Sequence, residues 1–276
     1  MAPTTKGPKG PTMATEYAFD SGTDLGARQL HYLQELFDRS TRGFVGDVTV
    51  GEGQRCLDLG TGSGSVARWF AERTGPSGEV HASDIDTTHV DVPPGVRVHR
   101  HDLNDGLPAE GPFDVIHTRF LLMHLKRRKE ILADLADALA PGGWLVVGEI
   151  SQPRTEAVAA PSHADAELFR KVIDTGSEKV IRPAGQSFEW GPEVDAEMTA
   201  LGLTGIDTME FAHTTYGGTT GCLLLSNYVR QMDARMRAVG MTTGELERFH
   251  ELMLDPRMRA WFFPMVYTRG RKPVSG

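Results

Sequence analysis

Cysteine is scarce. The 276 residues contain two, Cys56 and Cys222, and they form no C-x-x-C pair. That excludes a disulfide framework and fits a reducing compartment, so a cytoplasmic location is expected. Long apolar runs are missing too. No stretch reaches the about 18 residues that a spanning helix requires, so no membrane partner is expected. Positive charge is in deficit: the formal net charge is −8, which argues against a nucleic-acid partner. The short basic runs LKRRKE and TRGRKP read as helix-surface and strand-end charge. Lysine is rare, 7 against 22 arginines, a bias that hints at a GC-rich bacterial genome. Residues 1–16, rich in Pro, Gly, Thr and Lys, lack the apolar core of a signal peptide and are expected to form a disordered arm. No His, Cys, Asp or Glu set has metal-ligand spacing, so no metal is expected.

What is present is alternation. ARQLHYLQELFDRS (27–40) sets Leu30, Leu33 and Phe37 on one helical face. Strands are expected at 55–59, 78–84, 96–102, 113–119 and 144–150, with helices at 64–75 and 127–140. Such alternation argues an α/β fold with a doubly wound parallel sheet. After residue 150 the rhythm changes. Helices are expected at 164–176, 192–203, 222–240 and 242–255, and strands at 206–216 and 260–270. Thr242 and Glu245 can form a capping box. Residues 17–276 thus read as a single domain, with lid elements near 151–190 and 218–258 above the carboxyl edge of the sheet.

The most informative stretch is CLDLGTGSG (56–64), where a strand runs into three glycines at alternate positions. Ligands of doubly wound sheets dock at such loops, where main chain can approach them. The dinucleotide fingerprint G-x-G-x-x-G would need a glycine at 65, which is Ser65. The observed pattern is D-x-G-x-G-x-G across Asp58, Gly60, Gly62 and Gly64, and it resembles motif I of class I S-adenosylmethionine-dependent methyltransferases. Asp84 closes the second strand, where an acid can take both ribose hydroxyls. Asp102, in RHDLNDGLP, FDVIHTRFLLMHL and LAPGGWLVV resemble further segments of that family in order and spacing. The resemblance covers residues 55–150 and part of the C-terminal third.

The resemblance implies a Rossmann-like, seven-stranded sheet with its last strand antiparallel, and S-adenosyl-L-methionine as cofactor. It places the methionine end over the glycine loop near Thr118 and Arg119, the ribose at Asp84 with Ile85 beside it, and the adenine at Asp102 and Leu103. The LLMHL turn and the lid between the sixth and seventh strands look most like small-molecule methyltransferases of the ubiquinone-biosynthesis and natural-product type. The expected reaction is O-, N- or C-methylation of a small, apolar or aromatic metabolite in bacterial secondary metabolism. Eight of the eleven methionines lie between Met198 and Met265 near Trp261, Phe262 and Phe263, which suits a greasy pocket.

Candidate catalytic bases are His124 in the turn after the fourth strand, Glu149 at the end of the fifth, and Tyr17 before the first helix. His124 leads because an ordinary imidazole titrates near neutrality. His117 and His213 read as core or surface residues of strands. An NAD-dependent oxidoreductase is the competing enzyme class, but no tyrosine has a lysine four residues on. A fold relative that triggers cyclisation, or keeps the cofactor as a structural element, remains an open alternative. The subunit count, a homo-oligomer included, is left open.

Overall fold

The computed structural model describes residue 19 and residues 22–46, 50–154 and 156–274. The expected arm at 1–16 and Tyr17 lie outside the described residues. The chain opens with helix α1 (Asp24–Gly46). Thr23 Oγ1 accepts from Gly26 N–H at 3.1 Å, and Asp24 in the first turn complements the helix dipole. Its buried positions include Gln29, Leu33, Phe37 and Thr41, each one turn from the next, so one continuous stripe faces inward.

There follow β1 (Arg55–Leu59), α2 (Ser65–Thr74), β2 (Glu79–Asp84), β3 (Arg97–Arg100), β4 (Phe113–Arg119), α3 (Arg128–Asp137) and β5 (Leu139–Ile150). β1 and β4 are nearly continuous runs of buried residues, as central strands covered on both faces must be. The second half contains β6 (Ala157–Ala159), α4 (His163–Asp174), α5 (Trp190–Ala200), β7 (Thr204–Phe211), β8 (Thr214–Tyr216), α6 (Thr220–Gln231), α7 (Asp233–Ala238), α8 (Thr243–Leu252), β9 (Arg259–Trp261) and β10 (Met265–Arg271).

The main sheet has seven strands in the order β3-β2-β1-β4-β5-β10-β7. All neighbours are parallel except β10, which runs antiparallel to both β5 and β7. The expected architecture is therefore present. The chain moves outward from β1 through β2 to β3, then returns to β4 on the other side of β1. That reversal opens a crevice between β1 and β4, where Leu59 stands opposite Thr118.

Three expected elements are divided. The strand expected at 206–216 is two: β7 stays in the main sheet while β8 joins a second sheet of order β6-β9-β8. The strand expected at 260–270 divides likewise into β9 and β10. Pro264, which has no N–H to give a ladder, lies between them. The helix expected at 222–240 breaks at Met232, whose φ and ψ of −94° and 2° leave helical geometry. β5 starts earlier than expected, because the PGG turn enters the ladder through a register shift opposite Phe113 and Val115. The capping box of Thr242 and Glu245 is formed.

Residues 175–181, expected as the end of one helix and a loop, form a π-helix (Thr175–Ile181) continuing α4. α6 lies along α1. Asn227 Nδ2 donates to Leu25 O at 3.0 Å, Gln231 Nε2 to Gln29 Oε1 at 2.8 Å, and Thr220 Oγ1 to Glu35 Oε1 at 2.7 Å.

Candidate active site

The glycine loop joins β1 to α2 at the crevice. Gly60, Gly62 and Gly64 have φ of 64°, 58° and 86°, a region that side-chain-bearing residues rarely enter. Space is closed as well. A Cβ on Gly62 would lie 2.9 Å from Leu30 Cδ2 of α1, and one on Gly64 would lie 2.5 Å from Val92 Cγ1.

Asp58 sits at the base of this loop and is 2% exposed. Its Oδ2 accepts from Thr61 Oγ1 at 2.6 Å, and its Oδ1 pairs with His117 Nδ1 at 2.7 Å. Both carboxylate oxygens are thus occupied within the chain. His117, expected as a bland strand residue, is the partner across the β1–β4 register. Thr118, one residue on, is fully buried, and its hydroxyl has no partner among the described residues.

Asp84 ends β2 with its Oδ2 receiving Gly62 N–H at 2.9 Å and its Oδ1 receiving Asp86 N–H at 3.1 Å. Burial pushes its carboxyl above the ordinary value, against the pull of the N–H groups of Gly62, Asp86 and Ile85. Ile85 beside it is 50% exposed, an apolar side chain left uncovered at the mouth of the crevice. Asp102 caps the short turn Leu103–Asp105: its Oδ1 accepts from Asn104 N at 2.9 Å and Asn104 Nδ2 at 3.0 Å. Leu103 is buried. Asp84 is therefore tied to the glycine loop through Gly62.

Arg119 turns toward α1. Its Nη2 bonds Asp38 Oδ1 at 3.0 Å and its Nη1 donates to Thr41 Oγ1 at 2.8 Å. Asp38 also accepts from Ser65 Oγ, at 3.0 Å, at the start of α2. No sequence motif marked Asp38. It lies on the buried side of a helix whose polar residues all look like surface. Phe120 follows with φ of 55°, the one non-glycine residue with positive φ among those described. Such strain persists only where surroundings enforce it and concentrates at functional sites. Here Phe120 N–H is tied to Gly148 O at 2.9 Å, and the ring meets Phe37 edge-on at 5.2 Å.

Beyond Phe120 lies a cavity bounded by α1, the ends of β4 and β5, the π-helix, residues 186–188 and α6. Its walls are largely apolar, with Leu33, Phe120, Phe188, Leu225, Tyr228 and Phe263 among them. Gln29, His124, Ser177 and Gln186 bring polar atoms to it. An apolar wall with a few convergent polar groups is the character of a small-molecule site. Residues 172–188 and 225–232, from the two segments read as lid, supply much of the wall. Of the methionines in the C-terminal cluster, Met232 lines the cavity, joined by Met123; Met236, Met253 and Met258 are buried core.

The two candidate bases within the described residues adjoin the cavity, with unequal fitness. Glu149 is fully buried. Its Oε1 accepts from Leu122 N at 2.8 Å and Met123 N at 3.2 Å, while Oε2 has no partner among the described residues. Burial raises its carboxyl to about 8, opposed by the N–H groups of residues 121–123 and by Arg128. Glu149 does not itself line the cavity; it holds the turn that does. His124 does line it, but burial, with Arg128 adding to it, pushes the imidazole down to about 3. The near-neutral titration that made His124 the leading base is lost, because the site will not host an imidazolium.

Both cysteines are buried and their thiols pushed up, Cys56 to about 12 and Cys222 to about 11, chiefly by burial. Among the described residues no helix is long and apolar enough to cross a membrane. None of their His, Cys, Asp and Glu side chains group in threes to hold a metal ion.

Known proteins agree with this geometry. Residues 28–180 match the family model described as a methyltransferase domain, which spans α1 to the π-helix and so the crevice and most of the cavity. The ubiquinone/menaquinone biosynthesis C-methyltransferase UbiE of Bordetella avium is 29% identical over 218 residues, covering 72% of this chain and 79% of that protein. The methyltransferase str2 of Strobilurus tenacellus is 35% identical over 105 residues, 37% of this chain and 38% of that one. Phosphoethanolamine N-methyltransferase 2 of Haemonchus contortus, solved with phosphomonomethylethanolamine and S-adenosylhomocysteine, shares the fold at a TM-score of 0.55 and 15% identity. The match covers 91% of this chain and 58% of that one. With a family model matched over more than half its length, a seven-stranded sheet with β10 reversed and the D-x-G-x-G-x-G loop at the switch point, the chain belongs to the methyltransferase domain family, as a class I enzyme dependent on S-adenosyl-L-methionine.

Proposed function

We propose that this enzyme methylates a small, mostly apolar metabolite held in the cavity beside Phe120. The observation that carries the reading is the cavity itself: largely apolar, with Phe120 and Met123 from the segment just after β4 in its wall. When bound, S-adenosyl-L-methionine supplies an electrophilic sulfonium methyl for in-line displacement.

The chain's own residues divide the remaining tasks. Gly60, Gly62 and Gly64 form the floor beneath the methionine end, where no Cβ intrudes and main-chain N–H groups are near. The hydroxyl of Thr118, buried without a partner, is an unused donor and acceptor at that floor. Asp84 takes the ribose hydroxyls, exchanging one of its present bonds to Gly62 N–H for them. Ile85 and Leu103 flank the adenine, and Asp102 keeps an oxygen for its amino group while Oδ1 serves Asn104. Asp58 acts from below: it fixes Thr61 and thereby the loop, with His117 as its support. Arg119 is a strut to α1 rather than a ligand contact, since Asp38 and Thr41 hold both ends of its fork.

Alignment is the main contribution such a site makes to an in-line displacement, worth roughly 7–11 kcal/mol where geometry is held. His124, its imidazole pushed down to about 3 by burial, is a weak base, which favours an acceptor atom that is nucleophilic by its own electronics. An electron-rich carbon meets that condition, and the C-methyltransferase name of the Bordetella relative is in keeping with it. Glu149 positions the Leu122–His124 turn through two backbone bonds. Titration calorimetry with S-adenosylhomocysteine and with NAD, followed by mass spectrometry of an aromatic and isoprenoid acceptor panel, tests the reading. Binding of the former and a one-methyl mass gain on an apolar acceptor are expected. Tight NAD binding without S-adenosylhomocysteine binding would overturn it, and so would turnover confined to small, highly charged acceptors.

A further inference from the structure

Among the described residues that line the cavity, one buried side-chain oxygen has no hydrogen-bond partner. Gln186 lines it, and its Oε1 is wholly buried with no partner among the described residues. A buried amide oxygen left unpaired is unfavourable, and native structures seldom tolerate one without a use for it. The other end of the amide is barely occupied: Nε2 lies 3.9 Å from Met123 Sδ, a weak acceptor.

The side chain is not adrift. Ser187 N–H donates to Met123 O at 2.9 Å, Arg128 Nη2 donates to Gly185 O at 3.2 Å, and Phe188 is buried. The backbone on either side of Gln186 is therefore held, by Met123 of the turn that Glu149 fixes and by Arg128 at the start of α3. The segment leading to it is the π-helix, whose Gly176, Ser177 and Ile181 line the same cavity. π-helical turns are rare and are found preferentially at functional sites. An acceptor held rigidly on an otherwise apolar wall selects for geometry and chemistry together.

We infer that Gln186 is a specificity-determining residue, and that the substrate is an apolar ring or chain bearing a hydroxyl that donates to its Oε1. This rests on the apolar-acceptor reading above and sharpens it. The cavity would accept a ring by burial alone, but a ring lacking the hydroxyl leaves Oε1 unpaired and forfeits affinity. A methyl ether of the same ring is rejected for the same reason, because it has no proton to donate.

The test uses the full chain saturated with S-adenosylhomocysteine, and 2-naphthol, 2-methoxynaphthalene and naphthalene as probes in titration calorimetry. Wild type should bind 2-naphthol about 10-fold or more tightly than either of the others. Gln186→Leu should erase that preference by weakening 2-naphthol alone, with the two hydroxyl-free rings held as before. Equal binding of the three probes by wild type overturns the role of Gln186 and leaves the apolar cavity standing. That comparison needs no variant, so it holds whatever the substitution does to folding. A preference that survives in Gln186→Leu overturns it as well. Binding of S-adenosylhomocysteine with no ring bound at all overturns the apolar-acceptor reading itself.

Discussion

Replacing Glu149 by glutamine should stabilise the enzyme, and more so as pH rises. The wild-type carboxyl is fully enclosed, and burial lifts it from an ordinary 4.5 to about 8. The folded chain then keeps a proton that the unfolded chain has lost. Stability linked to this group is complete below pH about 4.5, declines as pH rises through the window, and levels off above about 8. Each pH unit within it removes about 1.4 kcal/mol, so roughly 4 kcal/mol separates pH 5 from pH 8. Glutamine keeps an oxygen for the N–H groups of Leu122 and Met123 and carries no titrating proton. Its advantage over wild type should therefore grow by that amount across the window. His124 works in the opposite sense: lowered to about 3, its contribution is complete above about 6.5 and lost as pH falls. The two effects oppose each other in wild type between pH 4.5 and 6.5, which is why the difference between the two proteins, rather than either curve alone, isolates Glu149. Urea unfolding at pH 5, 6, 7 and 8 measures it. Curves that run parallel for wild type and Glu149→Gln would refute the buried, protonated carboxyl.

Gly62→Ala should weaken S-adenosylhomocysteine binding about 10-fold or more, because φ of 58° costs an alanine about 1–2 kcal/mol and its Cβ meets Leu30 at 2.9 Å; calorimetry reads this, and unchanged affinity would count against the loop as floor. Asp84→Asn should lower affinity for the same ligand about 10-fold by removing one charge-assisted acceptor, and a larger loss for adenosine than for methionine as competitor would assign it to the ribose. Thr118→Val should leave the melting temperature unchanged or raised, since it removes an unpaired buried hydroxyl, while S-adenosylhomocysteine affinity falls by about 5-fold or more; a stabilised variant with full affinity would show the hydroxyl idle. Phe120→Gly should be more stable than Phe120→Ala by about 1 kcal/mol, reversing the usual order, because both lose the ring but only glycine is at ease at φ of 55°.

The lower half of the candidate site, the part proposed to hold the cofactor, could be named from sequence because its pattern is local. A strand, a D-x-G-x-G-x-G loop and a helix follow one another within about twenty residues, Asp84 closes the next strand, and Asp102 opens the turn after the one beyond it. The single glycine shifted from 65 to 64 separated two cofactors. Where main-chain geometry imposes the residue, as at Gly62 and Gly64, sequence carries the information directly. Division of 206–216 and 260–270 was not legible in the same way: β-propensity runs through both segments, and only the pairing of β8 with β9 in a second sheet reveals the breaks. The upper half was opaque for a related reason. Gln29, Ser177, Gln186 and Leu225 come from four separate segments, and an amide is informative only when its oxygen is found buried and unpaired. For His124 the residue type states an ordinary pKa, whereas burial pushes the imidazole down to about 3.

Residues 118–124 explain how the two halves are joined. Thr118 stands beside the loop, and Arg119 is fastened to Asp38, which also holds Ser65 at the start of α2. Phe120 turns the chain through a left-handed conformation into the cavity, and Leu121 comes to 3.1 Å of where a Cβ on Gly60 would stand. Leu122 and Met123 are then caught by Glu149. One short segment thus touches the cofactor floor, the helix that covers it, the cavity and the buried carboxyl in succession. A displacement at either end has no slack to absorb it, since α1 grips one side and β5 the other. The strain at Phe120 belongs to this arrangement: its left-handed conformation carries the chain from the end of β4 to the wall of the cavity. The β4–α3 connection is thus held on both sides: by the ion pair of Asp38 with Arg119 at its start, and by the buried carboxyl of Glu149 at its end.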